Sequence, residues 1–266
     1  MYFRLQLTIL LTSLRTAVSA ARRTSSYALR MALLPPCSES GAKEIILIRH
    51  GTTEMNEYLH AHQWGKIAFA DPNLFDTKLS ERGILDATKL NDDIRRQEKR
   101  IGDLNRIELL VSSPLSRALH TSEIAFGGGV IREDIPRLIL PLARERLYMS
   151  SDVGRHKAEL AKDFPAWDYE LLEDDEAWWY VHPKDQTYEE WRSKGVYAIE
   201  GEPPEVFKKR MRDLRQWLHD RPEKVICLVC HWGVCRALTE LDFKNCDIRF
   251  FQMDQLLKEP FLDKMP

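Results

Sequence analysis

The chain has 266 residues, of which 44% are hydrophobic and 30% are charged, and its formal net charge is −2. This composition is typical of a globular protein and excludes a disordered or fibrous chain. The near-neutral charge argues against a protein that binds nucleic acids. The best candidate for a membrane span, residues 5–14, is shorter than the roughly 20 apolar residues that cross a bilayer, so we expect no integral membrane segment.

The N-terminal segment differs in charge from the rest of the chain. Residues 1–38 contain five arginines and no acidic residue. Such a composition is typical of a targeting segment. We therefore predict that residues 1–40 form an N-terminal extension, whose arginines favour an organellar transit peptide, for a plastid or a mitochondrion, over a secretory signal. The alternative is that translation starts at Met31, which would leave the protein in the cytoplasm.

Strand and helix signals alternate through the rest of the chain. Continuous runs of branched apolar residues predict buried parallel strands at 44–48, 107–111 and 225–229. Apolar stripes with helical spacing follow Ser80, Pro114 and Pro203–Pro204. This alternation predicts an α/β fold, a three-layer αβα sandwich with a mainly parallel central sheet. We expect one domain over residues 41–258 and a short tail at 259–266.

Side chains suited to phosphate chemistry follow each of the three predicted strands. The carboxyl ends of parallel strands meet at one edge of a sheet, where such folds carry their sites. The candidate residues at this edge are Arg49, His50, Asn56, Arg117, His231 and Trp232. Arginine presents a planar fork of donors to phosphate oxygens, an asparagine amide adds further donors, and histidine is a nucleophile near neutral pH. The sequence therefore predicts a phosphate site with an imidazole nucleophile.

Four segments together resemble the histidine phosphatases, a family that includes the cofactor-dependent phosphoglycerate mutases. The segments are Leu47–Asn56, Leu79–Gly83, Ser112–Ala118 and Cys230–Gly233. They occur in the family's order within residues 44–240. The resemblance implies the phosphoglycerate mutase-like version of the α/β sandwich and a phosphoryl-transfer reaction.

The resemblance also implies a mechanism. His50 would attack phosphorus and carry the phosphoryl group as phosphohistidine, and two nearby arginines would lower its pKa and keep it neutral. The residues expected to bind the phosphate are Arg49, Asn56, Arg117, His231 and Trp232. No metal and no cofactor is expected, because the arginines take the place of the metal ion used elsewhere in phosphoryl transfer. The expected substrate is a small phosphorylated metabolite or a phosphopeptide.

A leaving alkoxide also needs a proton, so we expect one carboxylic acid in the site. The family places a glutamate after a third core strand, and Glu145 follows the apolar run 138–142 in a similar setting. Burial and a bound phosphate dianion would both raise the pKa of this carboxyl. Asp152 and the acidic run 173–176 remain alternative donors. A further alternative is that Glu145 is a solvated surface residue flanked by arginines.

Three other features have both a functional and a structural interpretation. Cys227, Cys230 and His231 match a haem-attachment pattern, but residues three apart in a strand point to opposite faces, which favours two structural cysteines. The stretch 57–77 is predicted to be a mobile loop that contributes to substrate choice. The acidic and aromatic segment 167–191 is either a lid over the site or a helical insertion that packs on the body.

The function that fits these features best is a metal-independent phosphatase that hydrolyses phosphomonoesters through His50. A phosphoglycerate mutase is the alternative. The long stretch between Asn56 and Leu79 argues against it, as does Thr52, where mutases commonly have an acidic residue. The residues Leu74–Asp76 before Leu79 and the Asp- and Trp-rich segment after Arg155 look more like the mutase-like proteins of plants and fungi. A non-catalytic module that binds phosphorylated ligands is a second alternative, although it predicts a missing catalytic residue and none is missing. The sequence leaves open the substrate and the oligomeric state.

Overall fold

The computed structural model describes residues 43–62, 71–174, 177–181 and 201–262. Residues 39–219 and 223–266 belong to one structural unit, which contains the central sheet. The predicted N-terminal extension lies outside the described residues, as do parts of the 57–77 loop and of the 167–191 segment. No helix in the described ranges is long and apolar enough to cross a membrane.

The central sheet has five strands in the described part of the chain. They are β1 (Glu44–Arg49), β2 (Leu109–Ser112), β3 (Arg137–Ile139), β4 (Val225–Cys230) and β5 (Ile248–Gln252). Their order is β3-β2-β4-β1-β5, and every neighbouring pair is parallel except β1 and β5. The three strands predicted from apolar runs are β1, β2 and β4, and the prediction of a mainly parallel sheet is confirmed. β5 has no continuous apolar run because it is an edge strand with mostly half-exposed side chains.

Six helices lie in the described ranges. They are α1 (Glu54–Ala61), α2 (Glu81–Arg95), α3 (Ser116–Ala125), α4 (Lys157–Asp163), α5 (Pro204–Asp220) and α6 (Trp232–Thr239). Thr53 caps α1 and Ser80 caps α2, each through a side-chain oxygen that accepts a backbone N–H of the first turn. The helix predicted after Pro114 begins at Ser116, because Leu115 is still extended. Helices α1 and α4 each bury a single side chain, so they have no apolar stripe to predict them. For this reason the prediction of a loop over 57–77 is wrong at its start, where residues 57–61 are part of α1.

The sheet is buried on both faces, as expected of a middle layer. Successive side chains of β1 point to opposite faces, and Ile46 and Ile48 pack in one cluster with buried residues of α2 and α3. Ile45 and Leu47 point to the other face and are also fully buried. Helix α5 buries its apolar stripe outside that cluster, and Lys43 Nζ donates to its backbone, which ties α5 to the start of β1. The predicted three-layer αβα sandwich is confirmed.

Helix α2 touches the loop after β1 through a glycine. A Cβ atom at Gly83 would lie 1.9 Å from the carbonyl oxygen of Thr52. Gly51 lies on the other side of the same contact, because a Cβ atom there would lie 2.9 Å from the Gly83 oxygen. Both obstacles are backbone atoms, which cannot rotate away. The Leu79–Gly83 segment therefore has a glycine because the helix must approach the loop that carries His50.

We expect Gly83→Ala to destabilise the protein by at least about 2 kcal/mol, although the same change within a helix normally stabilises it by up to about 1 kcal/mol. The added methyl group must push α2 away from the loop after β1. Urea denaturation followed by circular dichroism measures the free energy of unfolding. Thr88→Ala on the exposed side of α2 is the control, and an equal effect of both changes would contradict the proposed contact.

Candidate active site

His50 follows β1 directly, at the edge where β1, β2 and β4 all end. Its side chain is buried, and Nδ1 lies 2.7 Å from the carbonyl oxygen of Gly51. Because a carbonyl oxygen can only accept, Nδ1 carries the proton and Nε2 keeps its lone pair. Burial, followed by the charges of Arg117 and Arg49, lowers the pKa of His50 well below its usual 6.5. The imidazole is therefore neutral near pH 7, which is the state that a nucleophile requires.

Arg117 lies in the first turn of α3 and is held from three sides. Its Nη2 donates to Asp152 Oδ1 at 2.9 Å, its Nη1 donates to the carbonyl of Ser151, and its Nε donates to His231 Nδ1 at 3.3 Å. The residue is only 3% exposed. Its positive charge is therefore fixed in place before any ligand binds, which is the arrangement that stabilises a developing negative charge.

His231 follows β4 and is fully buried, with its ring centroid 5.1 Å from that of His50. Its Nδ1 accepts from Arg117, so the neutral ring carries its proton on Nε2, which lies 2.7 Å from Ser113 Oγ. Burial and the nearby positive charge of Arg117 lower the pKa of His231 well below 6.5. Both ring nitrogens are thus engaged by protein groups, and His231 lies behind Arg117 rather than on the cavity wall.

Asn56 lies in the first turn of α1 and lines the cavity. Its Oδ1 accepts from the backbone N–H of Thr53 at 3.1 Å and from Asn245 Nδ2 at 3.3 Å. These two donors fix the orientation of the amide, since only its oxygen can accept them. The Nδ2 group of Asn56 lies on the same side chain as this oriented oxygen and is the donor that a ligand in the cavity would meet. Asn245 also donates to the carbonyl of His50 at 3.0 Å, so one side chain braces two residues of the site.

Arg49 ends β1 and also lines the cavity. Its Nη1 donates to the carbonyl of Phe243 at 2.7 Å. Within the described part of the chain, its buried Nε has no hydrogen-bond partner. A buried donor without a partner costs free energy, on the order of 1–3 kcal/mol, which an anion bound nearby would recover.

Glu145 lies on the cavity wall in the segment after β3, so it is not the solvated surface residue that was the alternative. Its Oε1 accepts from the N–H of Arg146 at 2.8 Å, and its Oε2 accepts from the N–H of Gly233 at 3.0 Å. Burial and the negative charge of Asp152 raise the pKa of Glu145 above 4.5, although the two backbone donors and Arg117 oppose the shift. A glutamate that stays protonated at higher pH is suited to donate a proton.

Asp152, an alternative proton donor, is committed to other contacts. One oxygen accepts from Arg117, and the other accepts from the N–H groups of Tyr148 and Met149, each at 3.1 Å. The carboxylate thus serves as the buried counter-ion of Arg117. Of the other alternative donors, Glu173 and Asp174 are exposed and do not line the cavity, and residues 175 and 176 lie outside the described residues.

We expect Asp152→Asn to lower kcat/KM by about 10-fold, because Arg117 loses its ionic partner and shifts. The loss of a negative charge near Glu145 also lowers the pKa of Glu145, so the alkaline limb of the pH profile should move to lower pH. The measurement is kcat/KM against pH. If Asp152 were the proton donor, the alkaline limb would disappear instead. Asp163→Asn, which removes one of the two acidic partners of Arg155, is the control.

The cavity has a volume of about 180 Å³ within the described residues. Its lining includes charged and polar groups, which are His50, Arg49, Arg117, Asn56, Glu145 and Asp152. Larger side chains also line it, which are Met55, Leu59, Arg146, Tyr148, Met149 and Trp232. The indole nitrogen of Trp232 donates to Asp242 at 3.2 Å. The cavity thus combines anion-binding groups with larger side chains that suit contact with the rest of a substrate.

The cysteines of the described chain form no disulfide. Cys227 and Cys230 are fully buried in β4, and only Cys227 belongs to the core cluster on the α2 side of the sheet. The opposite directions of the two side chains exclude attachment of both to one haem. Cys230 Sγ lies 3.5 Å from Cys235 Sγ. Within the described ranges, no group of three or more histidine, cysteine or acidic residues could hold a metal ion.

The described part of the 167–191 segment packs on the body of the protein. Trp167 and Tyr169 belong to the main core cluster. Trp178 Nε1 donates to the carbonyl of Arg155 at 2.7 Å, and its ring lies against Gly154, where a Cβ atom would be 2.0 Å away. For residues 167–174 and 177–181 these contacts favour packing on the body over the lid, but the prediction of a helical insertion is wrong there, because these residues form no helix. Residues 182–191 lie outside the described residues.

Comparison with known proteins identifies the family. The sequence matches the model of the histidine phosphatase superfamily (branch 1) over residues 45–255. The chain belongs to the histidine phosphatase superfamily. It is 31% identical to a Schizosaccharomyces pombe protein named "Probable phosphatase", over 66% of this chain and 71% of that protein. It is 26% identical to an Arabidopsis thaliana "Phosphoglycerate mutase-like protein", over 77% of this chain and 76% of that protein.

A structural likeness was also found. A candidate α-ribazole-5′-P phosphatase from Escherichia coli superposes with a TM-score of 0.49 at 18% identity, covering 83% of this chain and 97% of that structure. The resemblance of the four sequence segments to the histidine phosphatases is thereby confirmed by the family match and the curated relatives.

Several residues of this histidine phosphatase's site were not predicted from its sequence. Asn245, Ser113 and Arg210 make their contacts with site residues through the fold, at sequence separations above 60. Ser113 lies within a matched segment, but a serine there indicates no role. Asn245 and Arg210 lie outside all four segments, and a single asparagine in the loop before β5 or a single arginine within α5 carries no signal of its own.

Proposed function

We propose that this histidine phosphatase is a metal-independent phosphomonoesterase that works through a phosphohistidine on His50. The observation that carries the proposal is a buried, neutral His50 with an unprotonated Nε2, in one cavity with two guanidinium groups. A neutral imidazole beside fixed positive charges suits attack on a phosphate dianion, because the cations lower the histidine pKa and attract the phosphate.

In the first proposed step, Nε2 of His50 forms a bond to phosphorus as the ester P–O bond breaks. The leaving oxygen takes a proton from the carboxylic acid of Glu145. In the second step, the Glu145 carboxylate takes a proton from water, the water oxygen bonds to phosphorus, and the P–N bond breaks. This releases inorganic phosphate and restores neutral His50 and protonated Glu145, so the net reaction is hydrolysis of the ester.

The phosphate oxygens would be bound by Arg49, Arg117 and Asn56. The Nε of Arg49, which has no partner within the described residues, and the amide of Asn56, whose orientation two donors fix, support this role. In such sites each donor contributes roughly 3–4 kcal/mol to stabilisation of the transition state. His231 would hold Arg117 in place, because its Nδ1 accepts a hydrogen bond from the Nε–H group of that arginine. Trp232 lines the same cavity and would contact the substrate there.

The proposed substrate is a small phosphorylated metabolite, because the cavity volume of about 180 Å³ suits a phosphoryl group and a compact leaving group. The test is hydrolysis of p-nitrophenyl phosphate by the full chain, with EDTA and with added Mg²⁺. We expect turnover that neither addition changes. Turnover that EDTA removes and Mg²⁺ restores would contradict the metal-independent route.

One observation favours the mutase alternative. Arg146 also lines the cavity, stacked over the Tyr148 ring with its Cζ atom 4.5 Å from the centroid, and a third guanidinium there could bind the carboxylate of a phosphoglycerate. The test is incubation with 3-phosphoglycerate and 2,3-bisphosphoglycerate, followed by ³¹P NMR. Formation of 2-phosphoglycerate would favour a mutase, whereas release of inorganic phosphate alone favours the phosphatase. Binding without either product would favour the non-catalytic module.

A further inference from the structure

Glu202 is a buried carboxylate that does not itself line the cavity. It is fully buried and lies just before α5. Two guanidinium groups neutralise it: Arg210 donates through Nε at 2.9 Å and Nη2 at 2.6 Å, and Arg144 donates through Nη2 at 2.9 Å. Burial alone would raise the pKa of Glu202, but the two arginines outweigh it and lower the pKa below 4.5. This carboxylate therefore stays ionised inside the protein.

The remaining donors of Arg210 all reach one short segment. Its Nη1 donates to the carbonyls of Leu142 at 2.8 Å and Arg144 at 2.7 Å, and its Nη2 lies 3.3 Å from the carbonyl of Glu145. Glu202 reaches the same segment through its backbone, since its N–H donates to the Leu147 carbonyl at 2.8 Å. Its own carbonyl accepts from the Nε of Arg146 at 2.9 Å.

The segment that receives these bonds has little regular structure of its own. After a short 3₁₀ turn at Pro141–Ala143, residues 144–147 belong to no helix and no sheet ladder. Its carbonyl groups are half-buried or buried and need partners from elsewhere. Burial of a carboxylate with two arginines is costly and adds little net stability compared with apolar packing. The cluster of Glu202 with its two arginines is therefore better explained by the backbone geometry that it imposes on this segment.

From this arrangement we propose that Arg210 and Glu202 are positioning residues for the proton donor Glu145. The inference rests on the proposed function, because it assumes that Glu145 protonates the leaving group. Arg210 and Glu202 do not touch the substrate. They hold the backbone on both sides of Glu145, so that its carboxyl group stays against Gly233 and faces the ester oxygen. Proton transfer is sensitive to such placement, since a shift of about 1 Å can cost on the order of 100-fold in rate.

The test compares two esters of similar shape with different needs for a proton. p-Nitrophenyl phosphate releases a stable phenolate, whereas benzyl phosphate releases an alkoxide that must be protonated. The variant is Arg210→Lys, which keeps the charge and loses the planar fork. We expect kcat/KM to fall by about 10-fold for benzyl phosphate and by about 2-fold or less for p-nitrophenyl phosphate. Glu202→Gln should show the same selectivity.

The ratio of the two kcat/KM values is measured on one preparation, so it does not depend on the fraction of protein that folds. An equal loss on both esters, including complete loss of activity, would overturn the proposal and leave Arg210 with a structural role only. Unchanged kinetics on both esters would also overturn it. Arg212→Lys is the matched control, because Arg212 lies on the same helix and pairs with Glu259 at the surface.

The variant Glu145→Gln distinguishes a failure of the positioning role from a failure of the proposed proton donor. If this variant loses benzyl phosphate hydrolysis selectively and Arg210→Lys does not, the positioning proposal fails alone. If Glu145→Gln shows no selectivity, the assignment of Glu145 as the proton donor fails, and the positioning role fails with it.

Discussion

Replacement of His50 with alanine is expected to reduce turnover of p-nitrophenyl phosphate by at least about 10⁴-fold, as for the loss of a nucleophile in other hydrolases. The reason is that the covalent route disappears and no other imidazole in the described cavity has a free nitrogen. His231 cannot replace it, because both of its ring nitrogens already contact protein groups. The measurement is steady-state kcat with purified wild type and variant under identical conditions.

The intermediate itself supplies a second readout. Wild-type protein mixed with substrate and quenched in alkaline detergent should retain phosphate that acid then releases, because phosphohistidine is stable to base and labile to acid. His50→Ala should retain none. His219→Ala is the control, since His219 is exposed and its carbonyl accepts from Lys43 at 2.8 Å, at the opposite end of β1. Full activity or retained phosphate in His50→Ala would contradict the proposed mechanism.

Replacement of Glu145 with glutamine is expected to reduce kcat/KM for benzyl phosphate by on the order of 10²–10⁴-fold, the usual contribution of a general acid. The loss should be far smaller for p-nitrophenyl phosphate, whose leaving group needs little protonation. Glutamine keeps the size of the side chain and an oxygen that can accept from one backbone N–H. Glu123→Gln is the control, because burial also raises the pKa of Glu123 but this residue does not line the cavity.

The role of Glu145 also predicts how activity changes with pH. The acid must be protonated and the nucleophile must be neutral, so activity requires a pH above the pKa of His50 and below that of Glu145. Burial and the arginines lower the first value well below 6.5, and burial together with Asp152 raises the second above 4.5. For wild type we expect activity to persist in mildly acidic solution and to decline on the alkaline side. Glu145→Gln should lose the alkaline decline, and a profile identical to wild type would contradict the role of Glu145.

Much of the fold was predictable because its signals are local. The apolar runs of β1, β2 and β4 are continuous since parallel strands in a middle layer are covered on both faces. The candidate residues lie at the ends of these strands: Arg49 ends β1, His50 and His231 follow β1 and β4, and Arg117 lies five residues after β2. The rule for parallel sheets therefore predicts that they share one edge. Edge strand β5 and the short helices α1 and α4 were not predicted, because half-exposed or single-contact elements have no strong periodicity.

The α/β class follows from the sequence alone, and the phosphate-binding residues and the nucleophile can be proposed from it, because these inferences depend on residues adjacent to strands in the chain. Which side chains form ion pairs and hydrogen bonds depends on the tertiary structure. Asp152 proved to be the counter-ion of Arg117, His231 lies behind that arginine, and Arg210 and Glu202 reach the segment of Glu145 from helix α5 and the residues before it. Hydrogen bonds and pKa values depend on distances between residues far apart in the chain, and those distances exist only once the sheet and its covering layers have assembled.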